Sequence, residues 1–427
     1  MIARISPSPL SGAVKIPCSK SDTHRALIAA ALCESPTELN LSGVSEDISA
    51  TVRCLEAFGA KISTVSEERR YIEPVSRLGA ATSPLLDCGE SGTTLRLLLP
   101  VAAALGAGAR FTGHGRLPER PLDALIAAME SNGCRFSGHT LPFSVSGKLK
   151  SGTFSLPGNI SSQYISGLLF AFALADGDSR IELTTKLESA AYVDMTLKTL
   201  GDFGIRASQV SGGYTVPGGQ KYASPGAYTV EGDWSNAAFF MAAGALGDSV
   251  TVTGLAHDSL QGDRAFCDIL RRFGATVMQT EAAVTVSGGD LRGIDIDVSE
   301  VPDLFPVLAV VAAGSAGTTR LLNAARLRIK ESDRIHAVSE MLKNLGADVT
   351  ELSDSLIVQG KKPLSGGIAD GKNDHRIVMA AAVASILCRD TVTITGAEAV
   401  NKSYPQFFSD FNMLGGNSDV ISTGQEN

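Results

Sequence analysis

Six apolar, alanine-rich runs punctuate the chain, and each is entered through a short polar turn. Cys18-Ser19-Lys20-Ser21-Asp22-Thr23-His24-Arg25 leads into Ala26 to Leu32. Gly89 to Thr94 leads into Leu95 to Leu105, and Asn159 to Gln163 into Tyr164 to Ala175. Gly232 to Asn236 precedes Ala237 to Leu246, Val301-Pro302-Asp303 precedes Leu304 to Ala313, and Asn373-Asp374-His375-Arg376 precedes Ile377 to Cys388. Ser, Thr and Asp in such turns accept from the orphan N–H groups of a helix start, so the pattern predicts six capped, buried helices. Taking Ser21, Gly92, Ser162, Trp234, Asp303 and Asp374 as markers, the steps are 71, 70, 72, 69 and 71 residues.

A second marker keeps the same phase. Phe58-Gly59-Ala60 reads as a helix end with glycine just past it, running into a strand. It returns as Asn132-Gly133-Cys134, Phe203-Gly204-Ile205, Phe273-Gly274-Ala275, Leu345-Gly346-Ala347 and Leu414-Gly415-Gly416. Glycine after an apolar run is common, but two markers recurring in phase six times are not. The chain therefore reads as six copies of a unit with two helices and several short strands. A period above about 50 residues is too long for the usual solenoids. Strands are expected at Ala227 to Val230, Ser249 to Thr253, Val284 to Ser287, Leu356 to Gln359 and Thr391 to Thr395. Helices are expected over Arg264 to Phe273 and Asp333 to Leu345, the latter with Ile335, Val338, Met341 and Leu342 on one face. The Gly/Pro/Ser-rich stretch from Val216 to Gly226 marks the domain boundary, and the tail after Gly416 is polar.

Composition narrows the class. With 427 residues, 44% of them hydrophobic and 19% charged, the chain can bury two or three cores. The net charge is −8, without a basic tail, so neither nucleic acid nor an anionic membrane is the expected partner. The seven cysteines form no C-x-x-C pair, which points to reduced thiols and a cytoplasmic setting rather than a disulfide framework. Met1 to Pro7 lacks an apolar leader core, and no apolar run approaches the ~18 residues of a membrane span. There is no G-x-x-x-x-G-K-[ST], no strand-linked G-x-G-x-x-G, no H-E-x-x-H and no G-x-S-x-G, so nucleotide hydrolysis, dinucleotide redox and zinc or serine hydrolysis recede.

Candidate chemistry lies at the helix starts. Lys20 and Arg25 place two cations where backbone N–H groups already favour an anion. Arg120, held between Pro118 and Pro121, suits bidentate anion binding. Ser161, Ser162 and Gln163 offer hydroxyls and an amide at a helix start. Arg326 to Arg334 crowds charges of both signs, with Lys330 and Arg334 at i, i+4 and Glu331 between. Each has a plainer alternative: a solvated helix start at Lys330 to Arg334, a plain loop charge at Arg120, simple capping at Ser161 to Gln163, an N-cap at Asp374 with a surface Arg376, a solvated Lys402, and a capping Ser189 with a half-buried Tyr192.

Taken together, Ser19-Lys20-Ser21 with Arg25, Gly92-Thr93 with Arg96, Glu119-Arg120-Pro121, Ser161-Ser162-Gln163, Pro302-Asp303, Lys330-Glu331-Ser332-Asp333-Arg334, Asp374-His375-Arg376 and Lys402 resemble, in order, the motifs of the 5-enolpyruvylshikimate-3-phosphate (EPSP) synthase family. The resemblance spans nearly the whole chain. It implies an α/β fold of two domains, an inside-out α/β barrel pair with three βαβαββ repeats in each. The domains would cover 14–228, and 1–13 with 229–416, leaving 417–427 as a tail. It further implies transfer of the enolpyruvyl group of phosphoenolpyruvate to shikimate 3-phosphate, without metal or organic cofactor, by a protein expected to be monomeric.

The same resemblance implies roles. Lys20, Ser21, Arg25, Ser161, Ser162, Gln163, Ser189, Tyr192, Asp303, Arg326 and Lys330 would bind shikimate 3-phosphate. Lys20, Gly92, Arg120, Gln163, Arg334, Arg376 and Lys402 would bind phosphoenolpyruvate. Asp303, Glu331, Lys20 and His375 would be the catalytic groups. Glu90 and Ser91 stand where the family often has Asn and Ala, and Leu97 where Pro is common, which bears on sensitivity to glyphosate, the family's inhibitor. Arg326 stands where some members have Asn. The competing readings are the sister transferase acting on UDP-N-acetylglucosamine, which typically has a loop Cys absent from Phe111 to Pro121, and a non-catalytic anion-binding repeat protein, which would not need both Asp303 and Glu331.

Overall fold

Each of the six polar turns starts a helix. The computed structural model of the protein describes residues 1–75, 83–106, 108–360 and 363–422. Its twelve α-helices among those residues are α1 (Lys20–Leu32), α2 (Glu46–Ala57), α3 (Gly92–Ala104), α4 (Asp123–Glu130), α5 (Ser162–Phe172), α6 (Ala191–Asp202), α7 (Trp234–Leu246), α8 (Phe266–Phe273), α9 (Phe305–Ala313), α10 (Arg334–Asn344), α11 (His375–Ala384) and α12 (Phe407–Met413). Ser19, Ser91, Ser161, Asp233 and Asp374 cap α1, α3, α5, α7 and α11 with their side chains. α9 is entered instead through a 3-10 turn, Pro302–Leu304, where proline suits the missing donor.

Odd and even helices differ as their sequences require. The odd ones are almost wholly buried, which is why they carry no polar face. The even ones are amphipathic; α10 buries Ile335, Val338, Met341 and Leu342, as its spacing predicts. Each even helix ends at a glycine in the left-handed region: Gly59, Gly133, Gly204, Gly274, Gly346 and Gly415, with φ of 100°, 98°, 77°, 108°, 92° and 93°. α8 is shorter than expected, because Gly262–Ala265 forms a 3-10 turn before it.

Among the described residues the strands form six four-stranded sheets. In one, Thr153–Leu156 runs parallel to Ser179–Leu183 across α5, and Ser208–Val210 and Gly213–Val216 follow α6 as a hairpin. This is the βαβαββ order. Three sheets draw a strand from far away in sequence. Ala227–Thr229 pairs with Thr37–Asn40, Gly12–Lys15 with Val250–Thr253, and Ile2–Ser6 lies between Val392–Thr395 and Asn417–Ile421.

The chain accordingly divides into two units, Cys18–Val230, and Met1–Pro17 with Glu231–Asn427. The expected boundaries shift by a few residues. Gly12–Lys15 belongs with the second unit through its strand pairing, and Val230 N–H still bonds Asn40 O in the first. The expected tail is also corrected: Asn417–Ile421 is an edge strand, and 423–427 lie outside the described residues.

Each unit has its own core, in which its three odd helices pack on one another. Small residues permit this. A Cβ on Gly167 of α5 would stand 2.3 Å from Arg96 O of α3. Gly167→Ala must therefore push α3 and α5 apart, and their starts carry Arg96 and Gln163. We expect it to lower stability by about 1–3 kcal/mol, as overpacking does, read from the denaturant midpoint; an unchanged midpoint would show that the two backbones have room to spare.

The seven cysteines are all free thiols. Burial pushes Cys134 up to about 12 and Cys33, Cys267 and Cys388 to about 11, which leaves them unreactive. No helix among the described residues is long and apolar enough to cross a membrane.

Candidate active site

The polar clusters gather at the N-termini of the odd helices, one cluster on each unit. In Cys18–Val230 the organising group is Arg25, 2% exposed. Its Nη1 donates to Ser21 O at 2.6 Å, its Nη2 to Tyr192 O at 2.7 Å and its Nε to Thr196 Oγ1 at 2.8 Å. It thereby ties the first turn of α1 to the first turn of α6, and brings Ser21 and Tyr192 together. Lys20 Nζ is held by Asp47 Oδ2 at 2.9 Å. Behind it, His24 Nδ1 bonds Thr51 Oγ1 at 2.7 Å, and Thr51 bonds Thr94 Oγ1 at 2.7 Å. Burial, then Lys20 and Arg25, hold the His24 imidazole well below its ordinary pKa, so it is neutral.

The same unit aligns α3 and α5. Arg96 Nη1 donates to Gln163 Oε1 at 3.0 Å, and Gln163 Nε2 to Thr93 Oγ1 at 2.8 Å. Tyr164 hydroxyl and Arg96 Nη2 both bond Pro121 O, which anchors the backbone beside Arg120. A Cβ on Gly92 would stand 2.6 Å from Arg120 Nη1, so the guanidinium lies directly over the α3 start. Ser161 and Ser162 open α5. Ser189 has a φ of 56°, which is uncommon for a residue with a Cβ and clusters at binding sites. Its carbonyl accepts from Tyr192 N at 3.2 Å, and Tyr192 is half-buried as expected.

On the other unit the hub is Arg334, 1% exposed. It donates to Asp303 Oδ1 at 2.7 Å, to Glu331 Oε2 at 2.9 Å and to Asp374 Oδ2 at 2.8 Å. Arg376 Nη2 lies 3.2 Å from Asp303 Oδ2 and Nη1 donates to Asp303 O at 3.2 Å. Asp374 also accepts from Ser332 Oγ at 2.9 Å and Arg376 N at 3.0 Å. His375 is buried, its Nδ1 3.8 Å from Asp374 Oδ1. Lys372 and Asn373 adopt φ of 49° and 53°, and this turn aims Asn373 O at Lys402 Nζ, 2.7 Å away. Arg326 Nη2 donates to Ser299 O at 3.2 Å.

Electrostatics separate the groups. Burial would raise the Asp303 carboxyl, but Arg376, Lys330 and Arg334 outweigh it and hold it well below the usual carboxylate range. Asp374 is likewise held low, with Arg334 outweighing burial. Desolvation, assisted by Arg326 and Arg334 and opposed by Asp303, brings Lys330 down to about 8. A phosphate dianion arriving there would reverse that shift.

Several plainer readings give way. Arg376 and Lys402 are buried rather than solvated, and Arg334 is a network centre rather than a surface charge. Asp374 does cap its helix, as its position suggests. Lys330 and Arg334 do not share a helical face, because α10 begins at Arg334 with Asp333 as its cap. Leu97 is fully buried, and Ser91 caps α3 through its hydroxyl. Sequence reasoning gave Asp374 only its cap and gave no role to Arg96 or Asp47, although Asp374 and Arg96 lie inside quoted motifs; their partners are distant in the chain.

The chain is similar to known proteins in sequence and fold. The family model described as EPSP synthase (3-phosphoshikimate 1-carboxyvinyltransferase) matches residues 5–411. A 3-phosphoshikimate 1-carboxyvinyltransferase of Clostridium novyi is 43% identical over 99% of both chains, and one of Clostridium kluyveri 45% identical over 99% of both. The solved EPSP synthase of Acinetobacter baumannii is 28% identical, with a TM-score of 0.82 over 98% of this chain and 100% of that one.

Proposed function

The chain belongs to the EPSP synthase family, and on that premise we propose how its residues share the family's reaction. It transfers the enolpyruvyl group of phosphoenolpyruvate to the 5-hydroxyl of shikimate 3-phosphate, giving EPSP and phosphate by addition and elimination, in the shikimate pathway. The observation that carries the residue roles is Arg334 binding Asp303, Glu331 and Asp374 at once. One guanidinium thereby presents two candidate proton-transfer carboxylates side by side.

Asp303 takes the 5-hydroxyl proton as the oxygen attacks, and Glu331 delivers a proton to the methylene carbon. Collapse of the tetrahedral intermediate reverses the roles: Glu331 takes a proton from the new methyl group as phosphate leaves. In the empty protein Asp303 is a weak base because three cations stabilise its charge. Phosphoenolpyruvate, bound by Arg120, Gln163, Arg334, Arg376 and Lys402 over Gly92, offsets some of that charge and makes Asp303 more basic when it is needed. Ser161, Ser162, Ser189 and Lys330 hold the phosphate of the acceptor, with Arg326 beside Lys330. Ser21 and Tyr192 hold its ring and carboxylate, and Lys20 touches both substrates. Arg25 joins Ser21 and Tyr192 in holding the ring and carboxylate, and its bonds to their carbonyls also fix both residues. His375 acts through Asp374.

Phosphate release with phosphoenolpyruvate and each acceptor tests the reading: turnover with shikimate 3-phosphate and none with UDP-N-acetylglucosamine is expected, and the opposite result overturns it. The reading extends to a cytoplasmic monomer, supported for the compartment by the free thiols; sedimentation tests the monomer.

Gly92→Ala gives a sharper test. The new methyl must displace the Arg120 guanidinium, since both cannot occupy the same space. KM for phosphoenolpyruvate is expected to rise by roughly 10-fold, about the loss of one weakened charge-assisted contact, and glyphosate inhibition to weaken. Unchanged values of both would place Arg120 outside the substrate site.

A further inference from the structure

Close to Asp303 lies another buried carboxylate that the reaction leaves without a role. Asp263 sits in the 3-10 turn Gly262–Ala265 and is 2% exposed. Its Oδ2 accepts the hydroxyl of Ser235, the second residue of α7. Its Oδ1 is buried with no hydrogen-bond partner among the described residues. The adjacent Arg264 is exposed and turns its guanidinium to His257 O.

The charges that face Asp263 come from three elements. Asp233 caps α7, Asp303 belongs to the turn Pro302–Leu304, and Arg376 to α11. α8, which follows Asp263 directly, turns Asp268, Arg271 and Arg272 to solvent. Arg376, the cation that pulls the Asp263 carboxyl down, is itself engaged by Asp303 through both Nη atoms. A carboxylate so buried, with one hydrogen bond and two like charges near it, is relieved by taking up a proton. Burial and then Asp303 push Asp263 up to about 7, against the pull of Arg376 and Ser235, while Asp303 is held low. Two carboxylates in one site have been driven apart.

We propose that Asp263 is a positioning residue that works as a neutral carboxylic acid, leaving the charge of Arg376 to Asp303 and to incoming phosphoenolpyruvate. When Asp263 loses its proton to solvent, it competes for Arg376 and repels the anionic substrate. The proposal rests on the assignment of Arg376 to phosphoenolpyruvate made above.

The test measures KM for phosphoenolpyruvate and Tm from about pH 5 to about pH 9 in the wild type, Asp263→Asn and Ser235→Ala. In the wild type, KM is expected to rise above about pH 7, by up to about tenfold per pH unit for a single proton. Asp263→Asn, an uncharged near-isostere, loses that rise. Ser235→Ala removes a hydrogen bond that steadies the anion, so the rise moves to higher pH; this variant keeps the test alive if Asp263→Asn fails to fold. Tm reads the proton independently of substrate. The native pKa lies above the unfolded value, so the stability from this group is full below about pH 4 and is lost as pH rises to about 7. Asp263→Asn lacks that loss, and its Tm gains on the wild type across the window. A Tm difference that is flat with pH overturns the neutral acid. A growing difference with identical KM profiles overturns its service to phosphoenolpyruvate. An unchanged KM in Arg376→Met would instead defeat the assignment of Arg376, and the kinetic half of the proposal with it, while the Tm difference still decides the proton.

Discussion

Glu331→Gln is expected to lower kcat by roughly 10²–10⁴, the usual range for a general acid or base, with KM for both substrates within a few-fold of wild type. The amide keeps the shape, and its oxygen can still accept from Arg334 Nη2, which now bonds Glu331 Oε2 at 2.9 Å. What it loses is an exchangeable carboxyl proton for the methylene carbon. Steady-state kinetics with each substrate varied in turn separate the two effects. A variant with raised KM and normal kcat would make Glu331 a binding group and leave the methylene proton to another residue.

The second large effect is on stability. Arg334→Met leaves Asp303, Glu331 and Asp374 without the guanidinium they share, and Asp374 is fully buried. Removing one partner of a buried ion pair costs about 3–5 kcal/mol, because the remaining charge is uncompensated. A loss of this size is expected at neutral pH, along with nearly all activity. Its pH dependence has a definite sign. At Asp374 burial raises the pKa but Arg334 outweighs it; at Asp303 the same holds for Arg376, Lys330 and Arg334. Both native values lie below those of the unfolded chain. Their contribution is present above about pH 4 and is lost as pH falls through the native values. In Arg334→Met the carboxylates protonate more readily, so the stability gap should narrow from about pH 6 toward about pH 3. Chemical denaturation at several pH values measures it. A gap that widens on acidification, or a loss under about 1 kcal/mol at pH 7, would show that the network does not depend on Arg334.

These effects sit where local rules stop. The caps at Ser19, Ser91, Ser161, Asp233 and Asp374, the burial of Ile335, Val338, Met341 and Leu342 in α10, and the six left-handed glycines were all legible along the chain. Each depends on groups within a few residues: a side-chain oxygen two or three positions before an N–H, a 3.6-residue period, a missing Cβ. Two such rules repeating in phase determined the six-unit organisation and the helix starts that carry the candidate site.

Which charge meets which was decided in three dimensions. Arg25 could be read as a cation at a helix start, but its partners Thr196 and Tyr192 lie 171 and 167 residues away and direct it inward. Arg334 and Asp374, 40 residues apart, each have a bland local reading as a helix-start charge and a cap. The N-terminal strands give no local sign that they complete sheets with Val250–Thr253 and Val392–Thr395. Asp263 has no local mark at all; only its burial beside Asp303 and Arg376 distinguishes it from a surface aspartate. The physical reason is common to all four. Capping and periodicity act over one turn, whereas ion pairing and desolvation depend on what the fold brings within a few ångströms, and that neighbourhood exists only once the helices have packed.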